Sequence, residues 1–110
     1  MIGTFVPTLN GFTGRIRTFL LDAELTISIL REPAGENPPD FLITLGKTGE
    51  GPHVGVARRR KTEKGSDFIS VRIDDPSLSN PIFAGLFPSE KSTNLYNLYW
   101  TRLNRPEDKT

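Results

Sequence analysis

The distribution of glycine and proline is the feature that most constrains what this chain can fold into. Ten glycines and nine prolines are spread over 110 residues, and no segment of helical length between them keeps apolar residues at a 3.6-residue spacing. The best helix candidate is Arg17–Arg31, but its second half alternates, with apolar Leu25, Ile27 and Ile29 separated by polar residues. Alternation of this kind is the side-chain period of a strand. The chain is therefore predicted to be all-β.

The runs between the breakers predict seven or eight short strands. Arg15–Arg31 contains neither glycine nor proline, so it fits one long bent strand or two short ones. Asn10-Gly11 predicts a type I′ hairpin turn, and Gly65 suits the left-handed position of a turn at 63–66. Pro33–Asp40 and 46–52 are predicted to be loops. The other predicted strands are Ile2–Pro7, one that begins at Phe12, Phe41–Leu45, Val54–Lys61, Asp67–Asp74, Ile82–Phe87 and Leu95–Leu103.

The connections between these strands are short, which predicts a single-domain antiparallel meander. Closing eight short strands into a barrel-like sheet leaves no unpaired edge. Gly14, inside a predicted strand, is interpreted as a bulge or sharp coil that helps the barrel to close. We expect one β domain over residues 1–103 and a frayed polar tail over 104–110. Trp100 is expected in the core, because large aromatic side chains dominate small cores.

Composition excludes several classes of chemistry. The chain has no cysteine and one histidine, so a disulfide scaffold, a thiolate nucleophile and a cysteine- or histidine-rich metal site are excluded. His53 is predicted to be a surface or strand-end residue, and Asp74-Asp75 a turn in which Asp75 caps the backbone. No motif joins a nucleophile to a base. We expect no enzyme activity, no cofactor and no metal site.

The sequence shows neither a membrane span nor a leader. No apolar run approaches the ~18 residues that a spanning helix needs. The N-terminal residues 1–5 lack a basic region followed by an apolar stretch, so no signal peptide is expected. We therefore expect no membrane partner.

Charge is strongly segregated although the net charge is only +1. Residues 1–20 carry two arginines and no acid, 21–55 carry six acids and two bases, and 56–72 carry six bases and two acids. Clustered bases can present a positive face on a nearly neutral domain. The other interpretation of such a run is a solvated hairpin tip, and the sequence leaves both open.

Alternation divides the basic residues between strand faces. Phe68, Ser70 and Arg72 share the face opposite Ile69, Val71 and Ile73, and Arg59 points away from Arg58 and Arg60. An aromatic ring beside arginine on a β surface can stack a base while the cation meets phosphate. Alternatively, Phe68 closes a second small apolar cluster. The candidate residues for binding nucleic acid or a partner are Arg15, Arg17, Arg58, Arg60, Lys61, Lys64, Phe68 and Arg72.

An ordered set of motifs resembles the bacterial family known as domain of unknown function 736. The resemblance spans Ile2 to Arg102 and implies a small cytoplasmic protein of plasmids and integrative conjugative elements, with no established reaction. Arg58 departs from the family pattern, which often has an aromatic residue after the small residues of the fifth strand. The motifs are Ile2-Gly3-Thr4-Phe5, the run 10–18, Pro39-Asp40-Phe41, the run 70–77, Pro81-Ile82-Phe83-Ala84 and Tyr99-Trp100-Thr101-Arg102.

Three functions are consistent with these observations. The first is a non-catalytic module of a mobile genetic element that binds nucleic acid, or a nucleic-acid-processing complex, through a basic β face. The second is a protein-binding inhibitor or adaptor of the anti-CRISPR or anti-restriction type, in which the acidic stretch Asp22–Glu50 mimics phosphate. The third is a homo-oligomeric structural protein whose last strand, apolar on both faces, forms the contact.

Overall fold

The alternating runs form eight antiparallel strands, which close into one barrel. The computed structural model describes residues 1–31 and 35–100, and all secondary structure in those two ranges is β. This confirms the predicted all-β, barrel-like meander. The strands are β1 (Gly3–Thr8), β2 (Gly11–Arg17), β3 (Asp22–Ile29), β4 (Phe41–Leu45), β5 (His53–Lys61), β6 (Asp67–Ile73), β7 (Ile82–Pro88) and β8 (Tyr96–Trp100).

Each strand pairs with its neighbour in the chain, and the first pairs with the last. The pairing that closes the barrel spans three residues of each strand. Gly3, Thr4 and Phe5 of β1 lie opposite Leu98, Asn97 and Tyr96 of β8. Closure satisfies the backbone groups that an open sheet would leave unpaired at its edges.

The core lies inside the barrel and is built by the predicted alternation. On β6, Val71 and Ile73 are buried, whereas Phe68 is half-buried and Arg72 exposed on the outer side. The interior is filled mainly by branched and aromatic apolar side chains, as expected for a small barrel, and Thr44 is the buried polar residue of the described ranges. The most deeply buried are Phe5, Ile16, Ile27, Ile43, Val71, Leu86 and Leu98.

The uninterrupted stretch Arg15–Arg31 is two strands rather than one. β2 ends at Arg17, and the turn that follows is held by Thr18, whose hydroxyl accepts hydrogen bonds from the backbone N–H groups of Leu20 (3.4 Å) and Leu21 (3.1 Å). Phe19, at the tip of this turn, is 99% exposed. A threonine side chain therefore makes the break that glycine or proline makes elsewhere.

The type I′ turn predicted at Asn10-Gly11 was wrong, and one of the two alternatives for Gly14 is excluded. Thr8 pairs with Gly11, so Leu9 and Asn10 are the central turn residues, and neither has the positive φ that a type I′ turn requires. The register through Gly14 is uninterrupted, which excludes the bulge, and the alternative of a sharp coil stays a prediction. The register shift that does occur lies between Ile43 and Thr44, where β4 meets β5. At Gly65 the prediction was correct, with φ at 90°.

The last strand also differs from its prediction. Trp100 is not a core residue: its position at the end of β8 leaves it 52% exposed, and Leu98 occupies the interior instead. Positions 101–103 of the predicted strand and the predicted tail 104–110 lie outside the described residues, as do positions 33 and 34 of the predicted loop. The part of the chain that the structure describes contains no helix long and apolar enough to cross a membrane.

Candidate nucleic-acid interface

The eight candidate residues divide between two sides of the barrel. Arg15 and Arg17 are on β2, whereas the other six are on β5, β6 and the turn between them. β2 and β6 are separated by three strands in either direction around the barrel. The outer surfaces of these two strands therefore face opposite ways, and the predicted residues do not form one continuous basic face.

The two arginines of β2 are neutralised by acids of β3. Arg15 Nε donates to Asp22 Oδ1 at 2.6 Å, and Arg17 lies 3.8 Å from the same carboxylate. The hydrogen bond to Asp22 raises the pKa of Arg15, and it holds the pKa of the Asp22 carboxyl below its ordinary range. Glu24 is similarly shared by Arg15 at 3.7 Å and Lys47 at 3.4 Å. Three bases thus share two carboxylates, and the cluster keeps a net charge of only +1. Its attraction for an anion is correspondingly small.

The arginines of β5 alternate in and out as predicted. Arg58 and Arg60 lie opposite Ser70 and Phe68 of β6 on the outer surface. Arg58 donates to the carbonyl oxygens of Asn37 (2.9 Å) and Pro38 (3.1 Å), so it fastens the preceding loop to the barrel. Its guanidinium is thus largely committed within the chain.

An aromatic row crosses the outer surface of three strands. The rings of Phe68 on β6 and Phe87 on β7 stack with centroids 4.9 Å apart and planes 9° apart. Tyr99 on β8 meets Phe87 edge-on, with centroids 6.0 Å apart. Phe68 thus belongs to a second, outer aromatic cluster. Tyr99 is nevertheless 42% exposed, so the cluster is open to solvent.

Gly85 makes room for this row. A Cβ atom at Gly85 would lie 2.7 Å from the Phe87 ring and 3.6 Å from Phe68. A side chain at this position would therefore displace the stacked rings. Sequence alternation places Phe87 and Gly85 on one face of β7, but their contact with Phe68 depends on the register between β6 and β7.

Basic side chains border the aromatic row, and they differ in how far they are neutralised. Arg72 lies 3.3 Å from Asp74. Lys61 instead points to the same side of β5 as Arg59, and it lies 2.5 Å from Asp67. Arg60, directly opposite Phe68, forms neither an ion pair nor a hydrogen bond within residues 1–31 and 35–100, and the same is true of Lys64. We name the outer surface formed by Arg60, Phe68, Arg72, Phe87 and Tyr99 the aromatic face.

The sequence interpretation missed Arg59, because its alternation set it apart from the other arginines. Arg59 faces the open end of the barrel, where its guanidinium carbon lies 4.8 Å from the centroid of the Phe41 ring. Asp40 accepts a hydrogen bond from the Arg59 backbone N–H at 2.8 Å and lies 3.7 Å from its guanidinium. Lys61 is two residues further along the same face.

The interpretations of His53 and Asp75 are confirmed. His53 is exposed and begins β5. The Asp75 carboxylate accepts hydrogen bonds from the Ser77 hydroxyl at 2.6 Å and the Ser77 backbone N–H at 3.0 Å, which lower the pKa of Asp75. Asp74 is paired with Arg72. The two carboxylates thus have separate structural roles.

Comparison with known families gives one result that covers almost the whole chain. A family model described as "Protein of unknown function (DUF736)" matches residues 1–103. Neither the curated proteins nor the solved structures include a match to this chain.

Proposed function

We propose that this chain, which belongs to the DUF736 family of proteins of unknown function, is a non-catalytic module that binds single-stranded nucleic acid on its aromatic face. The observation that carries the proposal is the row of Phe68, Phe87 and Tyr99 beside Arg60, which has no ion-pair partner among the described residues. In keeping with the family resemblance, we place this binding in the cytoplasm, in the service of a mobile genetic element.

Stacking on aromatic rings is the main attraction that such a surface offers. Base–aromatic stacking is worth ~1–3 kcal/mol per base and tolerates any sequence. Bases of a single strand are free to stack in this way, whereas those of a duplex are already stacked on one another. The aromatic face therefore favours a single strand over a duplex.

Cations at the border of the face would hold the phosphates. Arg60 offers a guanidinium with five N–H donors, none of them used within the described residues. Arg72 is 51% exposed at its side chain and has donors beyond its contact with Asp74. Two or three phosphate contacts of this kind give modest, salt-dependent affinity.

The acidic stretch gives less support to the phosphate-mimic hypothesis. Asp22, Glu24 and Asp40 all lie within 4 Å of a basic side chain of the same chain. Carboxylates that are neutralised internally make a poor imitation of a phosphate backbone. We therefore favour the aromatic face as the binding surface.

Fluorescence anisotropy with a labelled single-stranded oligonucleotide and the matching duplex tests the proposal. We expect the single strand to bind more tightly, and its affinity to fall roughly tenfold between about 50 and 200 mM salt. Phe68→Ala should weaken binding by roughly tenfold through the lost stack. Arg60→Gln should weaken it severalfold and flatten the salt dependence.

Arg17→Gln is the matched control, because it removes the same charge from the opposite side of the barrel. Binding should be unchanged in this variant. Absence of binding at low salt, or equal losses in Arg60→Gln and Arg17→Gln, would contradict the proposal. A dimer in sedimentation velocity that Tyr99→Ala dissociates would instead assign the aromatic face to a contact between copies of the chain.

A further inference from the structure

The end of the barrel on which Arg59 lies holds an open cavity of about 750 Å³. This volume is within the ~300–1,000 Å³ range of small-molecule sites. Phe12, Ile69 and Tyr96 provide an apolar lining, and Arg59 and Lys61 stand at its rim. We name this cavity the barrel mouth.

The apolar part of the barrel mouth is an ordered aromatic cluster. The Phe12 ring meets Tyr96 edge-on at 4.8 Å between centroids and lies 6.3 Å from Phe41. Phe12 and Phe41 are buried, and Tyr96 is half-buried. Rings fixed by one another form a rigid apolar wall, which suits an aromatic or aliphatic body of a ligand.

The rim adds cations that converge on the same space. The Arg59 guanidinium lies over the Phe41 ring and 3.7 Å from the Asp40 carboxylate, and these two contacts place it at the cavity. Lys61 contacts one carboxylate, that of Asp67, and its ammonium group has three N–H donors. Alternate residues of a strand are ~7 Å apart, so the two cations can share one anionic group.

We propose that the barrel mouth binds a small molecule with a ring-sized apolar body and a single anionic group, such as a carboxylate, sulfonate or phosphate. The body would pack against Phe12 and Tyr96, and the anion would lie between Arg59 and Lys61. The barrel mouth adjoins the aromatic face, because Arg60 and Phe68 also line the cavity. Arg59 and Lys61 point to the other side of β5 and belong to the mouth alone.

Two fluorescent probes that differ only in charge test this proposal. The probe 8-anilinonaphthalene-1-sulfonate has an aromatic body and a sulfonate, whereas N-phenyl-1-naphthylamine has the same rings without the anion. We expect one sulfonated probe to bind per chain, about tenfold more tightly than the neutral one. In Arg59→Gln and in Lys61→Gln this preference should largely disappear. Ile69→Phe, which fills part of the cavity, should weaken both probes.

Arg72→Gln separates this site from the aromatic face. It should weaken oligonucleotide binding and leave probe binding unchanged, with Arg59→Gln showing the opposite pattern. Equal affinity for the two probes, or no loss in either rim variant at an unchanged melting temperature, would overturn the proposal. Loss of oligonucleotide binding in Arg59→Gln would also overturn it, because the mouth would then be part of the nucleic-acid interface.

Discussion

Two glycines of the barrel wall show how differently single residues can support a fold. At Gly14, a Cβ atom would lie 2.2 Å from the carbonyl oxygen of Thr4 and 2.7 Å from the Cα of Phe5. These are backbone atoms of the paired strand, so β1 and β2 would have to move apart. We expect Gly14→Ala to lower the free energy of unfolding by about 3 kcal/mol, measured by urea denaturation.

Gly85→Ala tests the aromatic stack rather than the pairing of two strands. The atom that its Cβ would meet is the far end of the Phe87 ring, at 2.7 Å, and a ring can rotate away. We expect a loss of stability below ~1 kcal/mol, together with severalfold weaker oligonucleotide binding, because the stack of Phe68 on Phe87 is displaced. Normal binding in a folded Gly85→Ala protein would show that the stack is not needed.

Predictions about single residues succeeded where alternation along the residue's own strand fixes the direction of its side chain. The outward positions of Phe68 and Arg72 follow from period-two alternation alone, as does the inward position of Arg59. The stack of Phe68 on Phe87 could not be foreseen, because it depends on the register of β6 against β7. Trp100 was misplaced because residue size was weighed without its position at the end of β8.

At the scale of elements, the β2–β3 hairpin carries an acid-sensitive contact. Arg15 donates to Asp22, and this hydrogen bond lowers the pKa of the Asp22 carboxyl from its ordinary 3.8. A group whose pKa is lower in the folded state adds stability above its ordinary pKa and loses it as the pH falls through the folded-state value. Acid should therefore weaken this hairpin specifically.

Urea denaturation at about pH 5 and about pH 2.5 checks this expectation. The stability lost between the two pH values should be smaller in Asp22→Asn than in the unaltered protein, since the amide does not titrate. Glu36→Gln, at an exposed position in a loop, is a suitable control and should leave the loss unchanged. An identical acid loss in Asp22→Asn would mean that the ion pair adds nothing to stability.

The elements themselves were largely predictable, and their turns were less so. β4 has the predicted limits, and β5, β6 and β7 each differ from prediction by a single residue at one end. The break after Arg17 was not predicted as a turn, because it depends on the hydrogen bond that the Thr18 hydroxyl accepts from the Leu21 N–H. The first hairpin shows the same difficulty, because Gly11 begins β2 instead of completing a type I′ turn. Turn type depends on which residues pair across the hairpin, and alternation alone does not fix that.

The whole molecule depends on the seam between β1 and β8. Leu98 is 1% exposed and lies opposite Gly3 at this seam. We expect Leu98→Ala to cost about 3 kcal/mol, from the lost burial and the cavity left behind. Hydrogen exchange should show the largest loss of protection in β1 and β8. A loss confined to β8 would mean that β1 is held mainly by β2.

The number of strands and their short connections were enough to predict that the sheet closes into a barrel. They did not predict which residues lie on the same side of that barrel. Arg15 and Arg72 appear equivalent in sequence, as outward arginines of alternating strands. They lie on opposite sides because β2 and β6 are four steps apart around the barrel. The number of strands between two positions sets their angular separation, and this becomes known only once the order is known.

The neighbour-to-neighbour order of the strands also has a consequence for the time course of folding. Seven of the eight pairings join consecutive strands and can form one after another as local hairpins. The eighth joins Gly3 to Leu98, and forming it first would close almost the entire chain as one loop, at a large cost in entropy. The seam should therefore form last, after the transition state. On this pathway Leu98→Ala accelerates unfolding and leaves the refolding rate nearly unchanged.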